Sequence, residues 1–250
     1  MKTVPPTGKE AEIQYVASMA SALNWTEEQV KWSLVTKPFC DDRRGWYLMD
    51  IGQIMKLLPK PPGRLVDLGC GPGWTSRMYA AAGYEVLGLD ICPEMIELSR
   101  KAGPDMPNLH YELWDYTEPL PFGEFDLAVI YDALHHATDE AAVVRNVYAA
   151  LAEGGLLITA EPGAGHSQTE LSRKTIGLFG TTEKDMPFTG QRQLMLAAGF
   201  KGIEQYLRLS ELPLEAVQTE EGRRMQADHF RALGYHTEEL GFTSFVVARK

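Results

Sequence analysis

The sequence has little of what a metal-binding or disulfide-stapled protein needs. Its three cysteines, Cys40, Cys70 and Cys92, form no CxxC pair. An odd count, with no cluster of histidine and cysteine at metal-ligand spacing, disfavours both a zinc site and a disulfide scaffold. No stretch approaches the roughly 18 continuous apolar residues of a membrane-spanning helix, and residues 1–10 lack the apolar centre of a secretory signal. We therefore expect a cytoplasmic protein.

The sequence is also poor in positive charge. Lysine and arginine number 24 against 34 for aspartate and glutamate, which gives a formal net charge of -10 over 250 residues. Nucleic acids and anionic membranes are themselves negative, so this balance disfavours both as partners. Arg43-Arg44, Arg173-Lys174 and Arg223-Arg224 are isolated pairs, which are typical of a solvated surface. A small-molecule partner is expected instead.

The first quarter of the chain has helical character. Apolar residues from about 10 to 60 recur at spacings of three and four, and Thr26 to Gln29 is typical of a helix start. Three prolines, Pro59, Pro61 and Pro62, then end this pattern, because proline neither continues a helix nor pairs within a sheet. We predict an N-terminal helical cover over residues 1–62 and one domain over residues 63–250.

Short apolar strands alternate with helices after residue 63. This alternation predicts parallel strands joined by right-handed crossovers, and hence an α/β, Rossmann-like doubly wound sheet. Inserts are expected at about 163–190 and 210–240, the first as a long functional connection and the second as a helical segment. The predicted strands are 64–68, 85–90, 109–114, 125–131, 155–161, 202–209 and 241–248, and the predicted helices are 74–82, 93–102, 139–151 and 191–198.

A glycine-rich turn, Asp67 to Gly73, joins the first of these strands to the first helix. Its alternate glycines allow a tight turn and a close approach by a ligand, while the following helix presents free N–H groups. Trp74 stands where a dinucleotide fingerprint needs its third glycine, and Asp67 would repel a pyrophosphate but suits a cationic group. The turn therefore favours a cationic nucleoside ligand, although a purely structural turn is the alternative.

Three motifs together resemble those of the class I S-adenosylmethionine-dependent methyltransferases, over roughly residues 64–161. They are the stretches 66–73 (VDLGCGPG), 88–90 (GLD) and 120–126 (LPFGEFD). The resemblance implies a seven-stranded sheet of order 3-2-1-4-5-7-6, with an antiparallel seventh strand near residues 243–248. It also implies S-adenosylmethionine as the cofactor and S-adenosylhomocysteine as the product.

The same resemblance implies a set of cofactor-binding residues. Asp67 would reach the methionine ammonium group through the loop or water, Asp90 would hold the ribose, and Asp115 would accept a hydrogen bond from the adenine amino group. The alternatives are a helix cap for Asp90 and a turn-initiating role for Asp115. The implied set is Asp67, Gly69, Cys70, Gly71, Gly73, Thr75, Asp90, Ile91, Met95, Asp115, Tyr116, Tyr131 and Asp132.

The catalytic residues are expected at the ends of the fourth and fifth strands. We predict His135, His136 and Glu161, since ligands of a parallel sheet bind beyond the carboxyl ends of its strands. A neutral histidine could take the acceptor's proton, although packing or helix capping is the alternative role. Glu161 and His166 could orient a hydroxylated acceptor or hold a divalent cation, but no spacing indicates a metal and none is assigned.

The expected reaction is methyl transfer to a small molecule. The stretches 73–76 (GWTS), 161–163 (EPG) and 182–185 (TEKD) are similar to those of bacterial methyltransferases of glycan or secondary-metabolite pathways. This favours O-methylation of a polyhydroxylated or sugar-like metabolite. The alternatives are an N- or C-methyltransferase, an NAD-dependent dehydrogenase and a non-catalytic module that retains the cofactor pocket. A homodimer is left open.

Overall fold

The computed structural model describes residues 6–208 and 244–250. The second predicted insert, 210–240, and the pair Arg223-Arg224 lie outside the described residues. In the part of the chain that is described, no helix has the length and apolar character that crossing a membrane requires.

The strands of the described residues form one mixed sheet. They are β1 (Arg64–Leu68), β2 (Glu85–Asp90), β3 (Leu109–Leu113), β4 (Phe125–Tyr131), β5 (Leu151–Glu161), β6 (Lys201–Leu207) and β7 (Ser244–Arg249). The order is β3-β2-β1-β4-β5-β7-β6. Pairing is parallel from β3 through to β5, and β7 is antiparallel to both β5 and β6. The predicted fold class and strand order are confirmed.

The helices flank this sheet and precede it. They are α1 (Lys9–Ile13), α2 (Tyr15–Leu23), α3 (Glu27–Val35), α4 (Arg44–Leu57), α5 (Trp74–Ala81), α6 (Pro93–Lys101), α7 (Glu140–Ala150), α8 (Glu170–Phe179) and α9 (Phe188–Ala198). Thr26 and Gln29 form the reciprocal capping box expected at the start of α3. Asp139 caps α7, where its side chain accepts from the N–H of Ala142 at 2.8 Å.

Two hydrophobic layers cover the two faces of the sheet. Helices α7 and α9 bury Val143, Val147 and Met195 against one face. Helix α4 buries Ile51 and Ile54 on the opposite face, together with α5. The sequence predicts that residues 1–62 form a cover. Within this range, α4 buries Ile51 and Ile54 in one hydrophobic cluster with Leu65 of β1 and Val86 of β2.

Helices α1 to α3 form the cover proper, and the first predicted insert joins them. Helix α8 lies inside the stretch expected to be a long connection. Thr169 is its N-terminal cap and Gly180 is its C-terminal cap. The ring of Phe179 at the end of α8 meets the ring of Tyr15 edge-on, with centroids 5.0 Å apart. The threonine and glycine content that predicts a loop therefore includes the caps of a cover helix.

Candidate functional site

A cavity of about 600 Å³ opens at the carboxyl ends of β1, β2 and β4, beneath the cover helices. A parallel sheet binds its ligands at this edge. One side, which we call the glycine-loop end, is formed by Gly69, Gly71, Asp90 and Asp115. The other side, which we call the histidine end, is formed by Asp132, His135, His136, His166 and Glu183.

The three glycines of the loop have different surroundings. Gly69, Gly71 and Gly73 all have positive φ, at 73°, 53° and 77°. A Cβ on Gly69 would overlap Ala133, and one on Gly73 would overlap the ring and hydroxyl of Tyr111. A Cβ on Gly71 would meet no atom within 4 Å. Gly71 therefore leaves bare backbone facing the cavity, where a ligand can lie against it.

Asp90 lies directly beside this bare backbone. Its Oδ2 accepts from the N–H of Gly71 and its Oδ1 from the N–H of Cys92, each at 2.9 Å. Each carboxylate oxygen keeps a lone pair that can accept from a further donor. Burial raises the pKa of Asp90, against the lowering effect of the two N–H donors. The geometry fits a pair of neighbouring hydroxyl groups, such as those of a ribose.

Asp115 is tied to the cover as well as to its own turn. Its Oδ1 accepts from the N–H and the hydroxyl of Thr117, at 2.9 and 2.7 Å, and its Oδ2 forms an ion pair with Lys9 of α1. Burial raises the pKa of Asp115, but the hydrogen bonds from Lys9 and Thr117 outweigh it and hold the pKa below its ordinary value. Lys9 thus joins the cover to the glycine-loop end.

Asp67 lies behind the cavity wall. Its Oδ2 accepts from the hydroxyls of Thr75 and Ser76, at 2.7 and 2.5 Å, and the side chain is almost fully buried. Desolvation raises its pKa to about 6. This carboxylate fixes the start of α5 beneath the loop, and its contact with a methionine ammonium group through the loop or water stays a prediction.

The other predicted cofactor residues divide between the cavity and the wall. Gly73 lies in the wall, where its carbonyl accepts from the hydroxyl of Tyr111 at 3.0 Å. The residues that line the cavity are Cys70, Thr75, Ile91, Met95, Tyr116, Tyr131 and Asp132.

A buried hydrogen-bond network lies next to Tyr131, and no sequence pattern predicts it. The hydroxyl of Tyr131 donates to Oδ2 of Asp50 at 2.8 Å, and Arg208 donates to the same oxygen at 2.6 and 2.9 Å. Asp50 is on α4 and Arg208 follows β6, so no local motif links them. Together they fix Tyr131 at the cavity wall.

Asp132 has its carboxylate exposed to the cavity. Its φ of 54° is in the left-handed region, which is uncommon for a residue other than glycine. Burial raises the pKa of Asp132, but the positive charges of Arg208, His136 and Lys37 outweigh it and hold the pKa below its ordinary value. The carboxylate is therefore a hydrogen-bond acceptor at neutral pH. Lys37 lies between α3 and α4, and no sequence motif predicts its place near Asp132.

Glu161 is fully buried behind the histidine end instead of at its mouth. Its two oxygens accept from the backbone N–H groups of Ala133, Leu134 and His135, at 2.9 to 3.2 Å. Its Oε2 also lies 2.7 Å from Nδ1 of His135. The structure thus makes Glu161 an anchor for the turn after β4 and for the His135 ring.

His136 has an environment unlike that of a neutral base. Its Nδ1 lies 2.6 Å from the carbonyl oxygen of Thr182 and 3.6 Å from Oε1 of Glu12. Desolvation lowers the pKa of His136, but the hydrogen bonds and negative charges of Glu12, Glu183 and Thr182 outweigh it and raise the pKa to about 9. The sequence predicts a neutral imidazole that takes a proton, whereas this one is protonated at neutral pH.

His166 and Glu183 complete this end from the first insert. Nε2 of His166 lies 2.8 Å from Oε2 of Glu183, and Nε2 of His135 lies 3.8 Å from the same oxygen. The ring centroids of His135 and His136 are 4.0 Å apart, and those of His135 and His166 are 5.1 Å apart. Three imidazoles therefore surround one carboxylate at the cavity wall.

Comparison with known proteins assigns the central stretch to a family. Residues 66–159 match the family model described as Methyltransferase domain, which confirms the resemblance of the motifs over that stretch. The malonyl-[acyl-carrier protein] O-methyltransferase of Serratia marcescens is 30% identical over 122 residues, which cover 48% of this chain and 47% of that protein. The chain spans about a third to a half of the length of the curated relatives it matches, at 31%, 47% and 42% for three of them.

Solved structures show that the whole fold, beyond that stretch, is the class I methyltransferase fold. An S-adenosylmethionine-dependent methyltransferase from Mesorhizobium loti covers 81% of this chain with 98% of its own, at a TM-score of 0.60 and 23% identity. Phosphoethanolamine N-methyltransferase 2 of Haemonchus contortus, in complex with S-adenosyl-L-methionine, covers 94% of this chain with 60% of its own, at a TM-score of 0.63 and 17% identity. Residues 66–159 thus match a methyltransferase domain, and the chain shares the fold of these solved methyltransferases.

Proposed function

We propose that the protein transfers a methyl group from S-adenosylmethionine to a hydroxyl oxygen of a small polyhydroxylated molecule. The observation that carries this proposal is the bare backbone of Gly71 beside the carboxylate of Asp90, at the rim of the cavity. When bound, the cofactor supplies an electrophilic methyl group on a sulfonium.

The charges of the cavity favour this cofactor over a dinucleotide. Asp90, Asp115 and Asp132 all line it, and their carboxylates would repel a pyrophosphate at close range. The same carboxylates favour a ligand with an ammonium group and a sulfonium. The bulky, buried Trp74 stands where the dinucleotide fingerprint has its third glycine, which allows close packing of helix against strand.

The residues position the two reactants instead of forming a covalent bond with either. The loop and Asp90 would hold the adenosyl part at the glycine-loop end, and the exposed carboxylate of Asp132 would accept from a hydroxyl of the acceptor. Alignment of donor and acceptor supplies most of the rate in such a transfer. Helices α1 to α3 and α8 would exclude water from the cavity.

Two measurements test the proposal. Calorimetry should show binding of S-adenosylhomocysteine, and NAD should neither bind nor raise the melting temperature. A panel of sugars, polyols, phenols and amines, assayed by release of S-adenosylhomocysteine, should show turnover with the hydroxylated compounds. Binding of NAD alone would contradict the assignment of S-adenosylmethionine as the cofactor. Turnover confined to the amines would contradict the assignment of oxygen as the methylated atom.

A further inference from the structure

We propose that His135, His166 and Glu183 bind one divalent transition-metal ion at the histidine end of the cavity. The nitrogen and oxygen atoms that these residues offer all lie within 4.8 Å of one another. Two imidazoles and one carboxylate form a ligand set suited to Zn²⁺ or Fe²⁺, with further coordination positions left open.

The distances between these atoms are close to those of a metal-bound set. Ligand atoms at ~2.1 Å from a tetrahedral zinc ion are ~3.4 Å from one another. Nε2 of His135 lies 3.8 Å from Oε2 of Glu183, and Nε2 of His166 lies 2.8 Å from it. These two distances differ from that spacing by roughly 0.4 and 0.6 Å, which is within the reach of side-chain rotation.

The strongest support is the partner behind His135. Oε2 of Glu161 lies 2.7 Å from Nδ1 of His135, and its carboxylate also accepts three backbone N–H groups. An ionised carboxylate only accepts, so it places the imidazole proton on Nδ1 and leaves the lone pair of Nε2 directed away from Glu161. Metal-binding histidines commonly have such a carboxylate partner.

The position of the proposed metal site within the cavity gives the ion a role in binding the acceptor. His135, His166, Glu183 and Asp132 all line the cavity, so the open coordination positions face the space proposed for the acceptor. A hydroxylated acceptor could use one of these positions for an oxygen. This last step rests on the proposed function, whereas binding of the ion does not.

The test is a zinc titration of the full chain, after treatment with a chelator and without S-adenosylmethionine. We expect calorimetry to show one Zn²⁺ per chain. His166→Gln and Glu183→Gln, which keep a polar side chain of similar size, should each weaken binding about 100-fold. His110→Gln, which changes an exposed histidine on β3, should leave the affinity unchanged. No stoichiometric binding by the folded protein, or parental affinity in both cavity variants, would overturn the site.

Glu161→Gln tests the positioning role separately. With the amide oxygen kept on the N–H groups of Ala133 and Leu134, the new NH₂ group would donate to Nδ1 of His135, move the proton to Nε2, and lose the hydrogen bond from the backbone N–H of His135. Zinc affinity should fall about 10- to 100-fold, and the visible spectrum of the Co²⁺-loaded protein should change. An unchanged Co²⁺ spectrum would contradict this role. Because no methyl donor is present, a failure here leaves the release of S-adenosylhomocysteine as an independent test of the methyltransferase.

Discussion

The two ends of the cavity are built in different ways. At the glycine-loop end, Gly71 and Asp90 lie after neighbouring parallel strands, and the hydrogen bond between them joins two short local motifs. At the histidine end, His135 follows β4 while His166 and Glu183 come from the first insert. The first end depends on backbone shape, and the second depends on side chains that only the packing of the insert brings together.

Asp90→Ala should have the largest effect and should be confined to the glycine-loop end. The change removes an ionised acceptor for two ribose hydroxyls and the partner of the Gly71 and Cys92 N–H groups. The affinity for S-adenosylhomocysteine should fall about 100-fold or more, since each such bond contributes about 1.5–3 kcal/mol. Calorimetry measures it, with Asp105→Ala, on an exposed loop, as the control. Parental affinity in Asp90→Ala would remove the ribose role.

Asp132→Asn should give the opposite pattern at the histidine end. The amide keeps the size of the side chain but weakens the acceptor that faces the substrate. Turnover should fall about 10- to 100-fold, while the affinity for S-adenosylhomocysteine stays within a few-fold of the parent. Steady-state release of S-adenosylhomocysteine and calorimetry separate the two quantities. A loss of cofactor affinity equal to that of Asp90→Ala would show that the two ends are not distinct.

Two glycine variants separate the effect of the loop on stability from its effect on cofactor affinity. Gly69→Ala places a Cβ against Ala133 at positive φ and should cost about 2–4 kcal/mol of stability, or roughly 5–15 °C in Tm. Gly71→Ala has the same backbone strain, about 1 kcal/mol, but its Cβ points to open space. It should fold and yet bind S-adenosylhomocysteine at least tenfold more weakly. Equal Tm losses in both variants would contradict the open face of Gly71.

Asp67→Asn should change how stability depends on pH. The folded pKa of about 6 lies above the ordinary 3.8, so the folded state binds more protons between these values. The contribution of Asp67 to stability is therefore fully present below about pH 3.8 and is lost as pH rises through 6. The variant should gain on the order of 2–3 kcal/mol relative to the parent between pH 4 and pH 7. Urea unfolding at the two pH values measures this, and a constant difference would contradict it.

Lys9→Ala should have the smallest effect, because its ion pair with Asp115 is half exposed. Such pairs contribute about 1 kcal/mol or less. We expect S-adenosylhomocysteine to dissociate a few-fold faster as the cover loses this link to the glycine-loop end, measured by stopped flow. Unchanged dissociation would show that the cover is held elsewhere, for example by the bond from the N–H of Thr182 to Glu12 at 2.9 Å.

Local patterns along the chain predict the sheet and most of the glycine-loop end. Strand-helix alternation, alternate glycines and an acid at a strand end are local patterns, so a few neighbouring residues define both the backbone path and the ligand-facing groups. The capping residues Thr26 and Asp139 are local for the same reason. Thr169 and Gly180 were equally local signals, but their composition resembled that of a loop and concealed helix α8.

Packing between distant segments sets which side chains face the cavity. Asp67, Asp90 and Glu161 all lie near strand ends and all accept from N–H or O–H donors, as the burial of charge requires, but of the three only Asp90 lines the cavity. Lys37 and Arg208, and the group formed by His135, His166 and Glu183, come from segments far apart in the chain. Their positions follow from how the cover and the first insert pack on the sheet, which no spacing along the chain encodes.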